Sequence, residues 1–286
     1  MFDRFEELAS VYRERVMMPD WKGCHDFEEN MWGSVRLFLR GYAFERQGSS
    51  PDYRFAAAEA IDNVRAQAMS EKSAGKVWEK FKAMLAGKGV NYANNPVCPK
   101  GSRYEVKYKK VKQSRTVKKK SAIELALEVK TPLVAWARDE IRNNRVAEAH
   151  KKLKEVNGIA DKIASFFLRD VAVYYGLAPT QRRELLQPID VWIRFVAQSC
   201  SQDKEMNDPA CAAFIVKNAQ NPERANQGMW YFCTAVAHSS QYLVKKSLEE
   251  PTRLEELIKH HVADLLSGAE AAQKLIRNGL DDGGQK

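Results

Sequence analysis

No apolar stretch in this chain is long enough to cross a bilayer, and its opening residues, Met1-Phe2-Asp3-Arg4-Phe5-Glu6-Glu7, carry charge from the third position onward. A secretory signal needs an uninterrupted apolar segment and a membrane helix needs about 20 apolar residues, so neither is expected. The cysteines are few and scattered: Cys24, Cys98, Cys200, Cys211 and Cys233 form neither the close pairs that ligate zinc nor the cluster that holds an iron–sulfur centre. His150, His238, His260 and His261 show no ligand spacing with cysteines or acids. No metal site is expected, and the cysteines read as reduced thiols of a cytoplasmic protein. No internal repeat is visible, which sets aside stacked-repeat architectures.

What is present is an ordinary globular composition, with 44% hydrophobic residues to fill a core and 29% charged residues to keep it in solution. The 286 residues suit one large domain or two modest ones. A net charge of +9 points to an acidic partner, nucleic acid first and an anionic membrane surface next.

Apolar residues recur at helical spacing: Phe5, Leu8, Tyr12 and Val16, then Met31, Val35, Phe38 and Tyr42, then Val77, Phe81 and Met84. Start signals agree. Ser50-Pro51 and Thr131-Pro132 each set a capping hydroxyl before a proline, and Ser121 with Glu124 has capping-box spacing. The fold class is all-α, with about ten helices by this pattern. One stretch breaks it: Lys100 to Lys120 holds Arg103, Lys107, Lys109, Lys110, Lys112, Arg115, Lys118 and Lys119 against the single acid Glu105. Tyr104, Val106 and Tyr108 alternate with charged residues there, which allows a short β-ribbon. Two readings stand, a solvated basic linker between helical halves and an arm that contacts phosphates. The divisions that follow are an N-terminal helical subdomain over 1–98, the basic linker or ribbon over 99–120, a helix-hairpin-helix subdomain over 121–244, and C-terminal helices over 245–286 that end in a frayed tail from Asp281.

Val146, Ala149, Leu153 and Val156 form one apolar stripe and Ile163, Phe166, Phe167 and Val171 a second, with Gly158 between them. Two helices joined by a short glycine-containing turn result. Backbone amides at the start of the second helix, with its dipole, suit one DNA phosphate. Asn157, Gly158 and Ala160 are the turn residues placed against it. Lys151, Lys152 and Lys154 before the turn, Arg169 after it, and Arg182 and Arg183 further on would give the same cleft a positive rim.

About 28 residues beyond Lys162 lies Asp190, in Pro188-Ile189-Asp190-Val191-Trp192, an interval that fits one helix, a turn and the start of another. Cleaving an N-glycosidic bond develops positive charge on the sugar, which a carboxylate stabilises, while an amine attacks C1′ to give a Schiff base. Lys162 and Asp190 supply those groups. Each has a plainer reading, Lys162 as a phosphate contact and Asp190 as a helix N-cap. Trp192, close behind Asp190, is the candidate to stack on an extruded base or face the DNA, with Trp136, Phe166, Phe167, Tyr174, Tyr175, Phe195 and Trp230 as further aromatics in the region.

The residues Glu148-Ala149-His150-Lys151 through Gly158, Lys162 and Ala164, followed by Pro188-Ile189-Asp190-Val191, resemble the helix-hairpin-helix DNA glycosylase superfamily and its 8-oxoguanine glycosylase/lyase branch. Asn157 and Ala160 stand where that family usually has proline and a second glycine. The resemblance implies two helical subdomains flanking a cleft, Lys162 as Schiff-base nucleophile, Asp190 as the assisting carboxylate, and a flipped base, most simply 8-oxoguanine, removed in base excision repair with β-elimination at the abasic site. It implies a monomer acting on double-stranded DNA with a modified base, near the nucleoid and without a membrane. No cofactor is implied beyond a monovalent cation at the hairpin carbonyls. The alternatives are a non-catalytic helix-hairpin-helix DNA-binding protein and a glycosylase acting on another modified base in defence against foreign DNA.

Overall fold

The computed structural model describes residues 1–24, 26–44, 51–64, 71–85, 95–108 and 111–281. Among them the chain is mostly helical, as the spacing of its apolar residues predicts. The helices are α1 (Phe2–Tyr12), α2 (Met18–Lys22), α3 (Met31–Phe38), α4 (Pro51–Asn63), α5 (Glu71–Leu85), α6 (Ala122–Val129), α7 (Leu133–Arg142), α8 (Val146–Leu153), α9 (Asp161–Tyr174), α10 (Val191–Ser201), α11 (Asp208–Asn218), α12 (Pro222–Tyr231), α13 (Gln241–Glu249) and α14 (Pro251–Asp281). They outnumber the ten read from the sequence partly because π-helical turns subdivide periodic stretches. The stripe Phe5, Leu8, Tyr12, Val16 runs unbroken through the π turn Arg13–Met17 that separates α1 from α2. Similar turns at Leu39–Ala43 and Phe232–Val236 extend α3 and α12.

Local signals account for several boundaries. At α6 both halves of the capping box form, Ser121 Oγ accepting from Glu124 N while the Glu124 carboxylate accepts from Ser121 N. Thr131 is a correction: α7 starts one residue later than expected, with Pro132 at its N-cap, and the Thr131 hydroxyl donates backwards to Val129 O. Ser50 lies outside the described residues. Met84 also departs from expectation, being 37% exposed near the end of α5 while Val77 and Phe81 are buried. Asp281, read as the start of the tail, is the last residue of α14; residues 282–286 lie outside the described residues.

The core is continuous from N-terminal to C-terminal elements. Phe167 of α9 is fully buried, with Phe38 and Tyr42 rings edge-on to it at 5.0 and 5.2 Å. Helices α1 and α12 approach so closely that a Cβ on Gly228 would lie 1.7 Å from the Phe5 carbonyl oxygen, so glycine is needed for the contact itself.

The alternation in the basic segment does form strands: β1 (Arg103–Tyr108) pairs antiparallel with β2 (Val111–Thr116). Lys109 and Lys110 lie outside the described residues. Both ends of this ribbon are tied down. Gly101 N bonds Val117 O and Val117 N bonds Ser102 O, each at 2.9 Å, and Lys120 pairs in parallel with Val156 through Lys120 N to Glu155 O (3.1 Å) and Asn157 N to Lys120 O (2.8 Å).

Candidate active site

The two residues singled out for chemistry line one pocket. Lys162 enters it from the first turn of α9 and Asp190 from the start of α10, with Phe166 and Arg169 on the same face of α9 as Lys162, four and seven residues on. The pocket, about 110 Å³, is several times the ~30 Å³ that a water occupies in the liquid. Its other wall comes from the N-terminal helices: Tyr12, Val16 and Met17, then Trp21, Gly41 and Tyr42. Two of the π-helical turns supply lining residues, Val16 and Met17 from one and Gly41 and Tyr42 from the other. Trp230 of α12 completes an aromatic surround with Tyr12, whose ring meets it edge-on at 5.9 Å.

Asp190 is also an N-cap. Its Oδ1 accepts from Trp192 N and Ile193 N, both at 2.9 Å, which fixes the carboxylate at the head of α10. The capping and pocket-lining roles coexist in one side chain, because both cap bonds use the same oxygen.

Part of the pocket wall is a buried charged network, Asp170 and Asn226 lining it with Arg169, that local sequence signals do not announce. Arg169 and Asp170 are 2% and 1% exposed. Asp170 Oδ1 accepts from Arg169 Nε and Gln227 Nε2, each at 2.9 Å, and Oδ2 accepts from the hydroxyls of Tyr42 (3.1 Å) and Tyr12 (3.3 Å). The Tyr42 hydroxyl in turn accepts from Trp21 Nε1 at 2.9 Å, and that of Tyr12 from Arg169 Nη2 at 2.7 Å. Burial raises both tyrosine pKa values well above the usual range, so they stay neutral donors. Arg169 Nη1 donates to Asn226 Oδ1 at 2.8 Å, and Asn226 Nδ2 to Pro188 O at 3.4 Å, two residues before Asp190. The network therefore tethers the segment that presents the carboxylate. It also corrects Arg169, which is no part of an exposed positive rim. Arg-Asp neighbours in a helix carry no mark of burial in sequence; the signal is the contact with tyrosines 158 and 128 residues away from Asp170.

The turn between α8 and α9 places the remaining candidates differently from one another. Gly158 is exposed with φ of 77°, where glycine is favoured, and Ala160, exposed and extended, stands at the N-cap of α9 with no side-chain cap. Asn157 is a correction: it is buried, its Nδ2 donates to Asn95 O at 3.0 Å and its N–H to Lys120, so it serves the fold and offers no donor outward. Lys151 is exposed on α8. Lys154 is engaged by Asp161 at 2.5 Å, Arg182 by Glu184 at 2.5 Å, and Arg183 by Glu223 through two bonds of 3.0 and 2.5 Å. Arg183 is thus a structural fork on a buried acid, a correction to its place on the rim. Trp192 lies outside the pocket lining, packed edge-on against Phe195 at 6.5 Å, which leaves of its two expected roles the one facing DNA; the aromatic residues that line the pocket are Tyr12, Trp21, Tyr42, Phe166 and Trp230. At the hairpin carbonyls, Lys119 Nζ donates to Lys154 O at 2.7 Å, placing a protein cation on one of them.

His150, on α8, is 4% exposed and bonds Ser165 Oγ (3.2 Å) and Asp161 O (3.3 Å). Burial lowers its pKa, with Lys154 and Arg182 adding to the effect and Asp161 opposing it. A depressed folded-state value means the fold favours neutral imidazole, so this stability is present above the unfolded value of about 6.5 and is lost as pH falls from there towards the folded value. Resistance to urea should accordingly weaken between about pH 7 and 5, and His150→Gln should flatten that slope. An equal slope in the variant would remove His150 as its source.

The five cysteines are free, and burial raises every one of their pKa values, which keeps them as thiols rather than thiolates near neutral pH. Among the described residues no cluster of three or more histidine, cysteine or acidic side chains is arranged to hold a metal ion, and no helix is long and apolar enough to cross a membrane. No family model, no curated protein and no solved structure matches the chain.

Proposed function

We propose that the protein is a DNA glycosylase with associated abasic-site lyase activity, of the helix-hairpin-helix kind. The observation that carries this reading is the shared pocket: a primary amine, Lys162, and a carboxylate held by helix capping, Asp190, open into one aromatic-lined cavity larger than a water. In this reading the α8–α9 turn takes a backbone phosphate, helical subdomains on either side of the cleft bend the duplex, and the target nucleotide swings into the pocket. As the base leaves with the electron pair of the glycosidic bond, the Asp190 carboxylate stabilises the positive sugar. Lys162 Nζ, as the neutral amine, bonds to C1′ and gives up a proton; the C1′–O4′ bond then breaks, O4′ taking a proton, to leave a ring-opened iminium, and loss of a C2′ proton expels the 3′ phosphate by β-elimination. The favoured substrate is an oxidised purine, 8-oxoguanine first, in a monomeric repair enzyme of the nucleoid.

Borohydride reduces an iminium to a stable amine, so incubation with lesion-bearing duplex should yield a covalent protein–DNA adduct. A panel of modified bases that gives no adduct would leave a non-catalytic DNA-binding protein in its place. An adduct only with a modification peculiar to foreign DNA would move the substrate from repair to defence. Asp190→Asn keeps a side-chain oxygen for the cap, since asparagine and aspartate cap about equally well, and should melt like the wild type. Base release should fall by about 10²–10³, the range for removing one transition-state electrostatic partner. Unchanged single-turnover rates would take Asp190 out of the chemistry.

A further inference from the structure

Ten of the 46 lysines and arginines fall between residues 100 and 120, against one of the 37 acidic residues; the other 265 residues hold 36 of each and are neutral. The whole net charge of +9 therefore falls within the segment 100–120, which contains β1 and β2. The backbone register pairs Lys107 with Lys112, and an isolated two-stranded ribbon is marginal to begin with. So much charge of one sign in one short segment suits a polyanion as its partner.

The stems of the ribbon are also tied to the α8–α9 turn. Its outgoing stem joins the α8–α9 turn through the backbone bonds of Lys120 with Glu155 and Asn157, through Lys119 Nζ on Lys154 O, and through Lys120 Nζ, which pairs with Glu155 at 2.8 Å and with Glu128. Its incoming stem is held by Lys100 N on Glu124 (3.0 Å) and by Asn157 Nδ2 on Asn95 O. The buried Asn157 is thus the joint between ribbon and turn. We infer that the β1–β2 ribbon is a duplex-binding arm that tracks the phosphate backbone of the same DNA whose phosphate sits on the α8–α9 turn. The inference rests on the reading of DNA as partner, and on the catalytic reading not at all.

The test is equilibrium binding of undamaged duplex by the full chain, by fluorescence anisotropy across a salt series. The variant carries Lys107→Gln, Lys109→Gln, Lys110→Gln and Lys112→Gln; a charge-matched control carries Lys204→Gln, Lys217→Gln, Lys245→Gln and Lys259→Gln, exposed positions on other elements. The slope of log affinity against log salt should flatten by about 2 to 4 in the ribbon variant, at about 0.9 for each phosphate that is no longer neutralised, and by less than about 0.5 in the control. A third variant with arginine at the four ribbon positions should keep the slope, which separates missing charge from a damaged ribbon. Equal flattening in variant and control, or none in either, would overturn the arm. A failure to trap an adduct leaves these slopes untouched, so the two readings fail separately.

Discussion

Lys162→Ala is expected to abolish the borohydride-trapped adduct while leaving the fold intact. Lys162 is half-buried in the first turn of α9, on the pocket face, with no ion-pair partner among the described residues. Alanine is the best helix former, so the truncation should change stability by no more than about 0.5 kcal/mol, the usual range for substitutions away from a packed core. Loss of the adduct then reports loss of the amine and not of the protein. Lys162→Arg sharpens the test. Arginine keeps a positive charge for any phosphate near the α9 terminus but stays protonated and is no nucleophile at neutral pH. Duplex affinity should survive in the arginine variant and trapping should not. An adduct that persists in either variant would assign the Schiff base to another amine.

Much of the half of this pocket that holds Lys162 and Asp190 was legible in the sequence, because its signals are local. Gly158 marks the turn, the two apolar stripes mark α8 and α9, and Pro188 and Asp190 mark the start of α10, each within a few residues of the feature it creates. The ribbon announced itself in the same way, through the alternation of Tyr104, Val106 and Tyr108. The other half of the pocket was not legible. Tyr12 and Tyr42 belong to the apolar stripes that predict helices, Trp21 carries no signal of its own, and only packing against α9 and α12 brings the three to the pocket that Lys162 lines. Charge misleads for a related reason. Arg183 and Arg169 look like solvated cations in sequence, whereas Glu223 and Asp170, the acids that neutralise them, are themselves buried by tertiary contacts. A lysine or arginine counts towards a nucleic-acid surface only after its protein partners are known.

Those buried partners give the largest stability effect. Arg169→Met should cost about 3–5 kcal/mol, because it removes one member of a desolvated ion pair and leaves Asp170 charged among tyrosine and glutamine donors. Asp170→Asn should be costly in the same direction, stranding the guanidinium against the faces of Phe166 and Tyr12. The double variant should recover much of the loss, since both charges go together and the remaining amide still meets Gln227 and the tyrosine hydroxyls. Urea unfolding of the four proteins completes the cycle; strictly additive costs would show that the two residues act independently. The same cycle reaches the chemistry through Asn226, which bridges Arg169 to the Pro188 carbonyl. If the pair holds Asp190 in place, the double variant should fold well and still release base slowly, with the defect in the single-turnover rate and not in duplex affinity. Normal turnover in a stable double variant would reduce the network to a structural role and leave the N-cap of α10 as the sole determinant of where the carboxylate points.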